Sequence, residues 1–292
     1  MLVNLKEILT DAKEGHYAVG AFNCPNLESL RAIIGAAEEM KSPVILNHAQ
    51  IHDVLIPIET MGPMMVRFAK EASVPVCVNL DHGTSFEMCM KAIRLGFTSV
   101  MYDASGKPYA DNVAQTREMV HICHAIGVSV EAELGHIFVS ENGVGKSPEK
   151  IETCANSDTT EMYTDPALAK DFVEKTRVDA LAIAFGTAHG IYTVKPVLDL
   201  DRITAIKNKV DIPFVMHGGS GLSEQQFRTA IRNGIVKINY YTYMTMAGAE
   251  AVRKRLVKKS QKEPVFFHDI SLWATEAMKE NVKEAIRIFS MK

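Results

Sequence analysis

The sequence predicts an α/β protein, a (β/α)8 barrel with extra C-terminal helices. Two observations carry this. Eight short apolar runs, rich in β-branched residues, alternate along the chain with segments of helical period. The ends of these runs carry histidines and carboxylates, where a barrel of this kind gathers its chemistry. The length of 292 residues suits such a barrel, and 47% hydrophobic residues supply a large core.

The N-terminal stretch MLVNLKEILTDAKEG spaces its charges as a helix does and lacks the apolar centre of a signal peptide. The runs follow: YAVGAFNC (17–24), PVILNHA (43–49), VPVCVNLDHG (74–83), SVMYDAS (99–105), VSVEAELG (128–135), DALAIAFGTAHG (179–190), IPFVMHGGSG (212–221) and IVKINYYT (235–242). Between them lie helical segments such as NLESLRAIIGAAEEM and FEMCMKAIRLG. In SEQQFRTAIRNG, Ser223 fits the N-cap and Gly234 the C-cap. A doubly wound sheet is the alternative, but it would place a glycine-rich fingerprint after the first strand, and AFNC has none. No repeat, linker or composition break divides the chain, so residues 1–292 are expected to form one barrel domain. The longest weakly patterned stretch, 136–163, follows the fifth run and should project from the face that carries the site.

Composition excludes several roles. A net charge of −3 and a pI near 6.4 offer no basic excess for nucleic acid or an anionic membrane surface. The basic stretch VRKRLVKK (252–259) reads as the solvated face of an amphipathic helix. No apolar run reaches membrane-spanning length. The five cysteines are odd in number, widely spaced and without a C-x-x-C pair, which argues against a disulfide framework and fits a reducing cytoplasm.

The run ends carry His48, Asp81, His82, Asp103, Glu133, His189 and His217. Three imidazoles at one barrel mouth, His82, His189 and His217, match the ligand set of a catalytic zinc site with one open position. Each alone reads more readily as a hydrogen-bonded core histidine; three at strand ends, with a carboxylate beside one, shift the balance to metal. Near them lie GTAHG (186–190) and HGGSG (217–221). Their glycines permit the close backbone approach of an anion-binding nest, and equally suit tight turns.

The ordered motifs NLDHG, VEAELG, AFGTAHGIY, MHGGSGL and KIN..T closely resemble the class II, zinc-dependent fructose-bisphosphate and tagatose-bisphosphate aldolase family, from AVGAFN to the C-terminal helices. The resemblance implies reversible cleavage of a phosphorylated ketose to dihydroxyacetone phosphate and an aldehyde, through a metal-stabilised enediolate. It implies that His82, His189 and His217 bind Zn2+, with a monovalent cation as an additional candidate. It makes Asp81 the acid/base at the hydroxyl that becomes the aldehyde, and Glu141, in the long loop, the mobile proton shuttle. Gly190, Gly218, Ser220, Asn239 and Thr242 match positions that hold dihydroxyacetone phosphate. Asp103 and Glu133 match acids near a second metal position. A small-molecule sugar phosphate is the expected partner, and a homodimer or homotetramer the expected assembly.

Three departures bear on the substrate. Tyr241 stands where the family usually has a small or acidic residue, bordering the phosphate pocket, where its phenol would either donate a hydrogen bond to the phosphate or partly fill the site. The stretch FFHDISLW (266–273) lacks the arginine that many members direct at a far phosphate, leaving His268 as a weak substitute or a packing residue. NHAQIHD (47–53) adds His48 and His52 where serine, glycine or alanine is usual; His48 either faces the aldehyde side or is a satisfied core histidine. These departures point to a ketose 1-phosphate, an unphosphorylated ketose or a ketose acid as alternative substrates. The rival classes are a barrel metallohydrolase, which would need an H-x-H pair on the first strand, and a non-catalytic sugar-phosphate-binding accessory subunit.

Overall fold

The computed structural model describes residues 1–139, 162–192, 196–259 and 263–292. Eight parallel strands close into a barrel: β2 (Val19–Asn23), β3 (Val44–Ala49), β4 (Val76–Gly83), β5 (Ser99–Tyr102), β6 (Ser129–Leu134), β8 (Ala180–Ile183), β10 (Phe214–Met216) and β11 (Ile235–Tyr240). Each pairs with the next in that order, and β11 pairs with β2 to complete the ring. Ten α-helices lie among the described residues, most of them crossing between consecutive strands. No helix there is long and apolar enough to cross a membrane. Cys24, Cys77, Cys89 and Cys123, the four cysteines among the described residues, are buried free thiols.

Residues alternate between the barrel interior and the helical shell along every strand. The outward set, including Phe22, Leu46, Val78, Val130 and Ile238, packs with helix residues such as Ile33, Met61 and Phe172 in one large core. Inside, the lower barrel is apolar. There the first helix, α1 (Leu5–Glu14), lays Leu5, Ile8, Leu9 and Ala12 against Val19, Ala21, Ile45, Cys77, Ala182 and Val215. Asn4 starts this helix with a reciprocal cap, accepting from the Glu7 N–H while the Glu7 carboxylate accepts from its own. Burial of its Leu and Ile side chains stabilises the plug by about 1.5–3 kcal/mol each.

The upper barrel is polar and still buried: Asn23, Asn47, Asn79, Asp81, Glu131, Glu133, His217, Lys237 and Asn239. Buried polar groups need partners, and the barrel supplies them across strands, as in the Asn79 side chain donating to Asn47 Oδ1 at 3.0 Å. This switch from apolar to polar along the barrel axis locates the site.

The run 179–190 does not continue as one strand. The barrel strand ends at Ile183, and Ala188–His189 (β9) instead pair with Phe138–Val139 (β7) in a small parallel ladder of their own. The last helices, α9 (Thr242–Lys258) and α10 (Phe267–Phe289), pack on each other, and α10 also covers α2 (Leu27–Met40). Ser223 and Gly234 bound α8 (Glu224–Asn233) as the sequence predicts.

Candidate active site

Three separate elements bring three imidazoles together. His82 lies near the end of β4, where the pairing with β5 slips between Leu80 and Gly83. Its φ of 49° is left-handed, unusual for a side chain with a Cβ, and turns the ring into the barrel mouth. His189 comes from the β9 ladder and His217 from the end of β10. The ring centroids lie 4.5 Å (His82–His217), 5.0 Å (His82–His189) and 5.7 Å (His189–His217) apart. One nitrogen of each lies within 4.8 Å of the others.

Two of the rings are oriented by carboxylates. His82 Nδ1 lies 2.8 Å from Asp103 Oδ2, leaving its Nε2 buried with no partner. His217 Nε2 lies 2.8 Å from Glu131 Oε1, and its Nδ1 lies 3.2 Å from Asn239 Nδ2. A carboxylate behind an imidazole fixes the tautomer and aims the other nitrogen, as metal-binding histidines require. Burial keeps His217 well below its usual range and holds His189 at about 4, so both are neutral ligands at pH 7. Burial works the same way on His82, but Asp81, Asp103 and Glu133 outweigh it and raise this ring to about 9. An acid-lined point with an unpartnered imidazole nitrogen fits a cation, and the three imidazoles are the donor set zinc prefers.

Asp103 reaches His82 because its own N–H donates to the Gly83 carbonyl at 2.9 Å. Its other oxygen accepts from the N–H and hydroxyl of Ser105. Glu133 is buried, with one oxygen unpartnered, and burial followed by the Asp103 charge raises it to about 8. His82, Asp103 and Glu133 form a second cluster whose ligand atoms lie within 4.8 Å of one another.

Asp81 does not bond to any histidine ring. Its oxygens accept from Asn239 Nδ2 at 2.8 Å and Asn23 Nδ2 at 3.3 Å. Burial opposes its ionisation, but the positive fields of His82 and Lys237 outweigh that and hold the carboxyl below its ordinary range. The orienting role that adjacency to His82 suggests for Asp81 falls instead to Asp103 and Glu131.

Sequence reasoning missed the group behind His217. Lys237 is fully buried, and its Nζ donates to Glu131 Oε2 at 2.7 Å while the other oxygen holds His217. Period two along a strand was the available signal: Glu131 shares a face with Glu133, and Lys237 with Asn239. Asn23 and Tyr192 were missed too. The Tyr192 hydroxyl accepts from the Ala188 N–H and donates to the Gly218 carbonyl, both at 2.8 Å, tying the two glycine-rich turns together.

A cavity of about 360 Å3 opens beside the histidines. Asp81, His82, Asp103, His189, Gly190, Gly218, Ser220, Asn239, Tyr241 and Thr242 all line it. At Gly218, with φ 66°, a Cβ would come within 2.5 Å of the Ala188 carbonyl oxygen, so this turn admits only glycine. His217 sits behind the wall, fully buried. His48 points outward from β3, with Nε2 3.3 Å from Asp53 Oδ1, and does not line the cavity. His268 is exposed and stacked on Phe266. Glu141 lies outside the described residues.

The sequence profile of the family described as "Fructose-bisphosphate aldolase class-II" matches residues 3–292. The chain belongs to the class II fructose-bisphosphate aldolase family. Two relatives of this aldolase family span nearly the whole chain. A "Probable fructose-bisphosphate aldolase" of Bacillus subtilis (strain 168) is 40% identical over 294 residues, covering 99% of this chain and 97% of its own. Protein YdjI of Escherichia coli (strain K12), described as uncharacterized, is 38% identical over 289 residues, covering 99% and 98%. The crystal structure of the YdjI aldolase superposes with a TM-score of 0.84 at 36% identity, covering 99% of this chain and 97% of that one. Class II aldolases are generally zinc-dependent, which agrees with the imidazole cluster.

Proposed function

We propose that this chain is a zinc-dependent aldolase that reversibly cleaves a phosphorylated ketose to dihydroxyacetone phosphate and an aldehyde. The observation that carries the reading is the convergence of His82, His189 and His217, two of them fixed by carboxylates, beside an ionised Asp81 in a glycine-walled cavity. His82, His189 and His217 would hold the zinc, which when bound would supply a Lewis acid to stabilise negative charge on the substrate's ketone oxygen. Asp81 takes the proton of the C4 hydroxyl as the C3–C4 bond breaks, and the aldehyde departs. The electron pair stays with C3, and Glu141 delivers the proton that completes dihydroxyacetone phosphate. Asn239 and Asn23 hold the Asp81 carboxylate at its working angle. Gly190, Gly218, Ser220 and Thr242, with the N-terminus of α9, bind the phosphate. Asp103 and Glu133 hold the second cation position. Assembly as a homodimer or homotetramer belongs to this reading on the family resemblance alone.

The reading is tested by incubating the zinc-loaded and chelator-treated protein with fructose and tagatose bisphosphates and with their 1-phosphates. Release of dihydroxyacetone phosphate from at least one of these, lost with chelator and restored by zinc, is expected. Retained zinc with no release from any ketose phosphate would favour a non-catalytic sugar-phosphate-binding role.

A further inference from the structure

The Asn239 side chain stands between the acid/base and one of the metal ligands. It sits on β11, is buried, and lines the cavity. Its Nδ2 donates to Asp81 Oδ1 at 2.8 Å and lies 3.2 Å from His217 Nδ1. The neighbours fix the chemistry of both contacts. An ionised Asp81 only accepts, so the amide must present its nitrogen to it and not its oxygen. On the far side of the His217 ring, Glu131 Oε1 lies 2.8 Å from Nε2, and Glu131 Oε2 takes the Lys237 ammonium. A carboxylate at Nε2 places the proton of the neutral ring there and leaves Nδ1 with a bare lone pair. The second N–H of Asn239 donates to that lone pair.

A metal needs the same lone pair. Nε2 is committed to Glu131, so a cation held by His217 together with His82 and His189 bonds through Nδ1. One lone pair cannot serve an N–H and a metal ion at once. We propose that Asn239 caps the metal-binding nitrogen of His217, yields it when a divalent cation binds, and so frees one N–H for a substrate oxygen while its other N–H keeps hold of Asp81. Asn239 is then a positioning residue through which metal occupancy reaches the acid/base side of the cavity. The two oriented ligands differ in this respect. His82 Nε2 is buried without a partner and stands open to a cation, whereas His217 Nδ1 is guarded. The inference rests on the zinc-dependent reading and adds to it a competition between one amide and the metal.

The test measures zinc affinity by competition with a chromogenic chelator in wild type, Asn239→Ala and Asn23→Ala. Removing a residue that merely supports the site loosens metal; removing a competitor tightens it. Asn239→Ala should bind zinc about 2–10-fold more tightly, the worth of one hydrogen bond, while solvent hydrogen exchange into dihydroxyacetone phosphate slows. Asn23→Ala also takes a partner from Asp81 but touches no histidine, so its zinc affinity should match the wild type. Unchanged or weaker zinc binding by Asn239→Ala overturns the proposal, and so does equal tightening in Asn23→Ala, which would trace the effect to a loosened Asp81. A second measurement needs no substitution. In 15N-labelled wild type, zinc should shift one N–H signal of the Asn239 side-chain amide, the one facing His217, more than the one facing Asp81; two unmoved signals contradict the cap. The two levels separate cleanly. A wild type that takes up no zinc sinks the zinc reading and the cap with it, whereas zinc uptake without tightening in Asn239→Ala sinks the cap alone.

Discussion

At the residue scale, His217 divides its two ring nitrogens between tasks. Nε2 meets Glu131, and Nδ1, 3.2 Å from Asn239 Nδ2, is the nitrogen available to a metal. His217→Ala should therefore lose zinc and activity together, and full zinc by metal analysis in that variant would refute the ligand assignment. Asp81 bonds only to asparagines, so Asp81→Ala should abolish turnover and retain zinc; loss of metal there would make it structural. Lys237 neutralises Glu131 in a fully enclosed pair. Lys237→Met leaves an uncompensated buried carboxylate and should cost about 3–5 kcal/mol in denaturant unfolding. Adding Glu131→Gln should recover much of that stability while still loosening zinc, by about 10–100-fold in a competition titration. The sequence shows the histidines because they end apolar runs. It hides Lys237 because a lone lysine in a strand looks solvent-facing until its partner, 106 positions away, is known.

At the scale of elements, the site depends on two turns from different strands held by one phenol. Tyr192→Phe removes the donor to the Gly218 carbonyl and the acceptor for the Ala188 N–H. It should raise KM for the phosphorylated substrate by about tenfold, with a smaller change in kcat. An unaltered KM would show that the turns hold without it. The run 179–190 reads as one strand because its stretch from Ala180 to Phe185 is apolar throughout and no polar break precedes Gly186. It splits because Gly186, at φ 107°, turns the chain out of the barrel so that β9 can pair elsewhere. Helix α1 reads as amphipathic from its spacing, but that it plugs the barrel floor is a tertiary fact. Leu9→Ala, at a fully buried position, should cost about 2–5 kcal/mol in unfolding without altering substrate preference.

At the scale of the whole molecule, an apolar floor and a polar, buried mouth make stability and the site parts of one core. The eight alternating runs make the barrel legible, since the strand period and crossover helices leave few other closures. The polar mouth is only half legible, because its partners are set by register between strands distant in sequence. Burial depresses His48 and His52, and holds His189 at about 4. These rings bind protons more readily when unfolded, near pH 6.5. Their contribution to stability is therefore complete above about pH 6.5 and declines as the pH falls toward 4. His82, raised to about 9, has the opposite sign, but its contribution is already fully present below about pH 6.5; Glu133, raised to about 8, gains stability as the pH falls from 7 to 5 and opposes the rings, but it is one carboxyl against four depressed histidines, His217 included. The melting temperature of the metal-free protein should fall between pH 7 and pH 5, and a flat profile would contradict this account of the buried rings. The central claim, that the histidine cluster and glycine turns act together on a phosphorylated ketone, is tested most directly by solvent hydrogen exchange into dihydroxyacetone phosphate, followed by NMR with and without chelator. The account predicts exchange by the zinc-loaded protein that chelator abolishes. Absence of exchange with zinc bound would contradict it.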